Sequence, residues 1–245
     1  MQTFISSVPA WVSLAFIICF PIVVFMVGNL GYQAALRASM SAAKAQKIRI
    51  SIIGSLIAWL IYTAILSFSG ILATDAMPPR ILLFTTLPLS IFLFWVVFRS
   101  SLYQTLLQQV SLSSLIQVHI FRLVGIFFLL ATYYDTLPAS FAIHAGIGDI
   151  LAALTSIWVA QKMKQTPTKQ NYILALIWNI FGLLDILTVL VSAITHNKIA
   201  LDHQLEGLAE IAKFPFCWIP ALAPALIVFL HISTFKKLTL YKHSI

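Results

Sequence analysis

Three ionisable residues interrupt long apolar stretches of this sequence: Arg122, Asp149 and Asp185. If these stretches are helices that rise ~1.5 Å per residue, both aspartates lie roughly 16 to 20 Å deep, near the middle of a membrane, and Arg122 lies at a similar depth. One ionised side chain at the centre of a bilayer costs at least ~2.5 to 3.5 kcal/mol, so such residues turn toward each other or toward water. We therefore expect the three side chains to form one cluster.

The charges of this cluster define the chemistry open to it. Arg122 can bridge a carboxylate with two hydrogen bonds, and two neighbouring carboxylates can share one proton. The site is then able to bind a cation or carry a proton on Asp149 and Asp185; the alternative is a static ion pair that locks the helices together. Gln117 and Asn179 add candidate polar ligands. Asn179 lies about 120° around its helix from Asp185 and is expected to contact another helix.

A short pattern repeats around the two aspartates. Gly146-x-x-Asp149-Ile-Leu-x-x-Leu-x-Ser156 is followed by Gly182-x-x-Asp185-Ile-Leu-x-x-Leu-x-Ser192, on helices that run in opposite directions. An inverted pair with equivalent aspartates at mid-membrane resembles the plan of transporter repeats, and chance repetition of common membrane residues is the alternative. In either case, the glycine one turn before each aspartate lets a neighbouring helix approach closely.

His119 and His231 are the histidines whose depths best suit a haem held between two helices. A b-type haem needs two axial imidazoles from different helices, so a redox protein with haem b is the alternative function. Retinal is excluded because every lysine lies in a loop or at a helix end, away from the position of a Schiff base. Cys19 and Cys217 form no metal-binding or redox motif, so no metal site is predicted. No catalytic motif is found, and an intramembrane enzyme that uses either aspartate remains an alternative.

Membrane-spanning helices must position these residues. The chain has 245 residues, of which 60% are hydrophobic and 9% charged, with a mean hydropathy of +0.97, which excludes a water-soluble globular protein. A span needs roughly 20 apolar residues, so the length holds about seven spans and no extramembrane domain. We predict an all-α polytopic membrane protein with one transmembrane helical domain, residues 1–245. The spans are predicted at about 9–31, 50–73, 81–98, 112–134, 138–160, 172–195 and 214–235.

The loop charges predict the orientation of the bundle. Eleven Lys and Arg residues fall on one side of the predicted membrane, and three, Arg80, Lys198 and Lys213, fall on the other. The positive-inside rule then places the N-terminus outside and the C-terminus in the cytoplasm. The basic clusters lie against the cytoplasmic leaflet as topology determinants, and no nucleic-acid partner is predicted. The first span has no Lys or Arg before it and is too long for a secretory signal, so we expect it to remain uncleaved.

Prolines interrupt the first, third and seventh predicted spans. Each proline frees a backbone carbonyl, which a neighbouring helix, a Ser or Thr hydroxyl or a water must satisfy. We expect kinks at these positions. The residues are Pro21, Pro88, Pro215, Pro220 and Pro224.

Four segments in the second half of the chain resemble a known family. They are Gln117-Val-His-Ile-Phe-Arg-Leu-Val-Gly125, Leu137-Pro-Ala-Ser-Phe-Ala-Ile-His-Ala-Gly-Ile-Gly-Asp149, Trp178-Asn-Ile-Phe-Gly-Leu-Leu-Asp185, and a proline-rich last span that ends Phe229-Leu-His231. The chain is similar, in these segments, to an uncharacterised family of bacterial multi-pass integral membrane proteins. The resemblance implies a shared motif set of Arg122, Asp149, Asn179, Asp185 and His231, without a known substrate or cofactor. The chain departs from the pattern at His144, where a smaller residue or proline is expected, so His144 is left outside the site.

The sequence therefore predicts a multi-pass protein of the bacterial cytoplasmic (inner) membrane whose polar site binds or translocates a small solute or a proton. The predicted ligand- or proton-binding residues are Arg122, Asp149, Asp185, Asn179 and Gln117. The alternatives are a haem redox protein that uses His119 and His231, and a sensor or assembly protein that does not transport. The lipid bilayer is a predicted partner, and the solute is unknown.

Overall fold

A computed structural model describes residues 5–73, 76–165, 168–204 and 207–242. Almost all of these residues are helical, and among them the sole β-type pairing is a bridge between Ile5 and Phe214. The prediction of an all-α fold is confirmed. The helices are α1 (Ala10–Arg37), α2 (Ala42–Phe68), α3 (Leu82–Val97), α4 (Ser101–Gln109), α5 (Leu112–Tyr133), α6 (Ala139–Gln165), α7 (Lys169–His203) and α8 (Trp218–Lys242).

Six of these helices are long and apolar enough to cross a membrane, namely α1, α2, α5, α6, α7 and α8. The pair α3 and α4 adds a seventh span if it is counted as one broken element, because the two helices are bent by 85° relative to each other. α3 also contains wide π-helical turns at Leu82–Thr86 and Phe92–Val97, on either side of Pro88. We call the side where α1 begins the N-terminal face and the side where it ends the opposite face.

Hydroxyl side chains begin the helices that start at the opposite face. Ser41, Ser100, Ser111 and Thr168 each accept a hydrogen bond from the backbone N–H three residues later. Such N-caps satisfy one of the backbone donors that a helix leaves free in its first turn. They fix where α2, α4, α5 and α7 enter the apolar part of the bundle.

α8 is the central helix of the bundle. In the most apolar 18-residue stretch of α8, 78% of the residues are buried, whereas the corresponding share for α2, at the periphery, is 22%. α8 contacts α2, α3, α4, α5 and α7, while α6 packs between α5 and α7. The site predicted from the sequence therefore lies against α8, the most deeply buried of the candidate spans, and between α5, α6 and α7.

Two of the prolines leave carbonyls that neighbouring helices satisfy. Pro88 cannot donate to Phe84 O, which accepts instead from the Tyr62 hydroxyl of α2 at 3.3 Å. Pro224 cannot donate to Pro220 O, which accepts from Thr86 Oγ1 of α3 at 2.5 Å. These bonds join the broken helices to their neighbours, as the sequence predicts for prolines inside spans.

Candidate functional site

Arg122 lies at the centre of the cluster and is fully buried. Its Nε donates to Asp149 Oδ1 at 2.7 Å, its Nη2 donates to Asp185 Oδ2, and its Nη1 donates to the Gly182 carbonyl at 3.0 Å. The planar guanidinium thus contacts two carboxylates and one carbonyl on three sides, a geometry that lysine cannot reproduce. The three ionisable residues do meet in the interior as one polar site.

The backbone that carries Arg122 is not an ordinary α-helix. Within α5, residues Val118–Gly125 form a 3₁₀ segment between two α-helical turns. Because a 3₁₀ helix has three residues per turn, residues three apart lie in line along one edge. His119, Arg122 and Gly125 are spaced this way, and all three are buried toward the site. The composition of α5 gives no sign of this change of period, so the 3₁₀ segment was not predicted.

Glycines allow the backbones around Arg122 to come close. A β-carbon at Gly182 would lie 2.6 Å from His231 Cε1 and 3.2 Å from Arg122 Nη1, and one at Gly125 would lie 2.5 Å from Asp149 Cβ. Gly148 faces the carboxylate of Asp185 so closely that any β-carbon would collide with it. The sequence repeat identified Gly182, but Gly125 and Gly148 were missed because glycine is common in membrane helices.

Asn179 and His231 form a second polar pair beside the arginine. Asn179 Nδ2 donates to the His231 backbone carbonyl at 3.1 Å, and His231 Nδ1 lies 2.8 Å from Asn179 Oδ1. A carbonyl oxygen only accepts, so the first bond fixes the amide orientation, and His231 Nδ1 must carry the proton. In neutral His231, Nε2 is then an acceptor, and it faces Arg122 Nη1 at 3.5 Å. Asn179 contacts another helix, as expected from its position around α7.

His119 is fully buried, and neither of its ring nitrogens has a hydrogen-bond partner. Its ring lies 4.2 Å from that of His231 and 5.1 Å from that of Trp178, measured between centroids. Two imidazoles that coordinate one haem iron must leave room for the porphyrin between them. These two rings are in contact with each other, and both nitrogens of His231 already face Asn179 and Arg122. The pair does not fit a haem in this arrangement.

Three further polar residues, of which the first was predicted to belong to the site, lie outside the cluster. Gln117 is exposed on the surface of α5, at the end of the α-helical turn that precedes the 3₁₀ segment. The structure therefore does not bring Gln117 to Arg122, and its inclusion among the site residues is corrected. His144 is exposed and lies 3.2 Å from Thr188 Oγ1. Trp178 is buried and donates to the Ala152 carbonyl of α6 at 3.3 Å.

A cavity of about 70 Å³ reaches Asp149 from the N-terminal face. This volume is enough for a few water molecules. Its wall is largely apolar and includes the proline-interrupted start of α8, and Asp185 is not among its lining residues. Its lining includes Arg80, Asp149, Asn197, Ala209, Pro220 and Pro224.

The bundle is closed on the other side of the arginine. A cluster of buried apolar side chains fills the space between α5, α6, α7 and α8 near the opposite face. It contains Leu112, Ile116, Val159, Ala160, Met163, Ala175, Trp178 and Leu238. The polar site is therefore reached from one face and sealed from the other in the described part of the chain.

No group of three or more His, Cys, Asp or Glu side chains in the described residues could hold a metal ion. Two carboxylates and one guanidinium leave a net charge of minus one when both carboxylates are ionised, and this charge suits a proton or a cation.

Comparison with known proteins gives a family without an assigned activity. No curated protein and no solved structure matches the chain. A family model does match residues 78–239, about two-thirds of the chain, and this region contains Arg122, Asp149, Asn179, Asp185 and His231. The chain belongs to the family described as a domain of unknown function, DUF8737.

Proposed function

We propose that this protein spans a bacterial cytoplasmic membrane and takes up a proton, alone or with a small solute, at the Arg122, Asp149 and Asp185 cluster. The observation that carries the proposal is the cavity that reaches Asp149 from the N-terminal face. An intramembrane carboxylate in contact with a water-sized space is the usual acceptor in proton relays. The loop charges orient this face outward.

The charges of the cluster support a role for both aspartates. Arg122 neutralises one carboxylate, so the second negative charge is available to a proton or a small cation. Asp149 is the member that lines the cavity. Asp185 and Asp149 pair with the same guanidinium, that of Arg122. A proton or cation that binds at Asp149 therefore also changes the electrostatic environment of Asp185.

Two carboxylates line the approach to this site at the N-terminal face, and one of them, Glu210, is paired with Lys213. A larger hollow of about 610 Å³ at this face is lined by Asp135 and Glu210, and Ala209 borders both this hollow and the cavity. Arg80 also lines the cavity. Carboxylates near an entrance raise the local concentration of cations. The guanidinium of Arg80 in the cavity wall repels metal and organic cations. A proton, which can pass along water molecules, is therefore the favoured ligand.

Translocation needs a second arrangement in which the apolar seal at the opposite face opens. α8 is the element best suited to move, because Pro224 interrupts its hydrogen bonds where it lines the cavity. In this proposal, α8 gates access, Asp149 and Asp185 hold the proton or cation, and Arg122 sets their charge state.

The test is proton uptake into vesicles that contain the purified protein and a pH-sensitive dye. With an imposed pH gradient, we expect uptake by the wild type and its loss in Asp149→Asn and Asp185→Asn. Asp202→Asn is the matched control, because Asp202 is an exposed carboxylate at the N-terminal face that pairs with Lys198. Unchanged uptake in both cluster variants would overturn the proposal, provided that all four proteins remain folded.

Infrared difference spectra between acid and neutral pH test proton binding without transport. We expect a protonated carboxyl band that Asp149→Asn removes and Asp202→Asn retains. A specific observation favours the second candidate, a sensor or assembly protein: Arg122 already has four neighbouring partners in the described structure. In that candidate both carboxylates stay ionised in a static ion pair, so it predicts neither the protonated carboxyl band nor proton uptake.

A further inference from the structure

A second cavity lies away from the Arg122 cluster, between α1, α2, α3, α4 and α8. It has a volume of about 290 Å³ and is lined almost entirely by apolar side chains. Its few polar groups include Ser51, Ser55 and the pair formed by Tyr103 and Ser233, whose hydroxyl oxygens lie 2.5 Å apart. A cavity of this size and polarity suits a hydrocarbon ligand.

The cavity opens to the lipid-facing side of the bundle between α2 and α3. Phe92 lines the cavity and is 46% exposed, and Ser55 on α2 is exposed as well. Closer to the N-terminal face, the Tyr62 hydroxyl bonds to the Phe84 carbonyl and joins the two helices. The opening therefore lies in the half of the bundle toward the opposite face.

Three cationic side chains lie near this end of the cavity without lining it. Lys236 Nζ lies 5.0 Å from the centre of the Phe98 ring and 2.5 Å from Gln104 Oε1, while Lys237 Nζ donates to the Gln108 carbonyl at 2.5 Å. Arg37, at the end of α1, is close enough to Lys237 for electrostatic interaction. The carboxylates that the structure describes lie at mid-depth or at the N-terminal face, so these cations have no acidic neighbour.

We propose that this cavity binds one acyl chain of an anionic phospholipid, whose phosphate contacts Lys236, Lys237 and Arg37. Helix α4, which turns away from α3 by 85°, places Gln104 and Gln108 beside the two lysines. The head group of such a lipid would lie at this level. The apolar wall takes the chain, and the phosphate supplies the negative counter-charge that the three cations lack among the described residues. Each lysine near an anionic head group strengthens binding several-fold.

The experiment uses vesicles of phosphatidylcholine with a minor fraction of phosphatidylglycerol that carries a photoreactive group near the end of one acyl chain. After illumination, mass spectrometry maps the labelled residues. We expect labelling concentrated on Leu30, Leu56 and Phe229 in the cavity. Photoreactive phosphatidylcholine with the same chain should label them roughly tenfold less, because it lacks the net negative charge.

Two pairs of variants separate a specific site from general contact with lipid. Ser55→Phe fills the cavity and should lower labelling there at least about fivefold, whereas Gly54→Phe, where an added β-carbon meets nothing within 4 Å, should leave it unchanged. Lys236→Gln with Lys237→Gln should bring the anionic lipid to the level of phosphatidylcholine. Lys162→Gln with Lys164→Gln makes the same change of charge at exposed positions beyond α6's apolar part and should have no effect.

Equal labelling by the two lipids would overturn the proposal, as would labelling that Ser55→Phe does not reduce. Labelling spread evenly over the exposed apolar residues of all helices would also overturn it.

Discussion

Gly148 of α6 lies directly against the carboxylate of Asp185 on α7, in space that a β-carbon would occupy. The same carboxylate accepts a hydrogen bond from Arg122 Nη2 on α5. The absence of one side chain on α6 thus allows two other helices to complete their ion pair. Packing and electrostatics are coupled at this position.

The first prediction concerns Gly148→Ala. The new methyl group must displace Asp185 or separate α6 from α7, so we expect a loss of about 1 to 3 kcal/mol in the free energy of unfolding in detergent. Gly54→Ala is the control, since its β-carbon meets nothing within 4 Å. If both variants unfold at the same denaturant concentration as the wild type, the close approach of Gly148 and Asp185 does not exist in the protein.

The second prediction concerns the arginine. Arg122→Gln leaves two carboxylates buried without their cation, so we expect a loss of about 3 to 5 kcal/mol in unfolding free energy, or failure to fold. Adding Asp149→Asn and Asp185→Asn removes the uncompensated charges and should restore most of the stability. A triple variant as unstable as Arg122→Gln alone would show that packing of the arginine, and not its charge, stabilises the bundle.

The third prediction uses the bond between Thr86 and Pro220. Thr86→Val leaves the Pro220 carbonyl without a donor in a buried setting, which should cost about 1 to 3 kcal/mol. Pro224→Ala restores a backbone N–H at the position that bonds to this carbonyl in a regular helix. In the Pro224→Ala background, Thr86→Val should therefore cost much less. Equal costs in the two backgrounds, measured by a double-mutant cycle, would contradict this account.

The fourth prediction concerns His119, whose ring nitrogens are buried without partners. His119→Phe keeps the aromatic contacts with Trp178 and His231 and removes the unsatisfied donor, so unfolding free energy should stay equal or rise by about 1 kcal/mol. His144→Phe is a control at an exposed position outside the cluster. Marked destabilisation by His119→Phe alone would show that the ring has a polar partner, such as a bound water, in the membrane.

The fifth prediction concerns haem. Since the rings of His119 and His231 are in contact, protein expressed with added haem should show no Soret band after purification. A Soret band that both His119→Ala and His231→Ala abolish would show that the two rings separate to admit a porphyrin.

The meeting of Arg122, Asp149 and Asp185 was predictable because isolated charges are too costly in lipid. The same argument, that buried polar groups need partners, predicted neighbours for the carbonyls freed by Pro88 and Pro224 and a contact between Asn179 and another helix. These features follow from the free-energy cost of leaving a charged or polar group unpaired in lipid, and they do not depend on the details of packing.

Other features depend on backbone geometry that the residue types do not encode. The 3₁₀ segment places His119, Arg122 and Gly125 in line along one edge of α5, which the spacing of a regular α-helix would not do. Gly125 and Gly148 resemble any other glycine of a membrane helix until a neighbouring carboxylate is placed against them. The bend of 85° between α3 and α4 likewise has no clear signal in the apolar run that precedes it.

A water molecule that reaches Asp149 finds Leu112, Ile116 and Leu238 packed together beyond Arg122. In the described part of the chain, the cavity is closed at this end, so a molecule that enters it from the N-terminal face must leave by the same opening. Among the residues that the structure describes, this apolar cluster separates the cavity from the opposite face. Under the proposed function, every transport step must therefore open this apolar barrier and form it again.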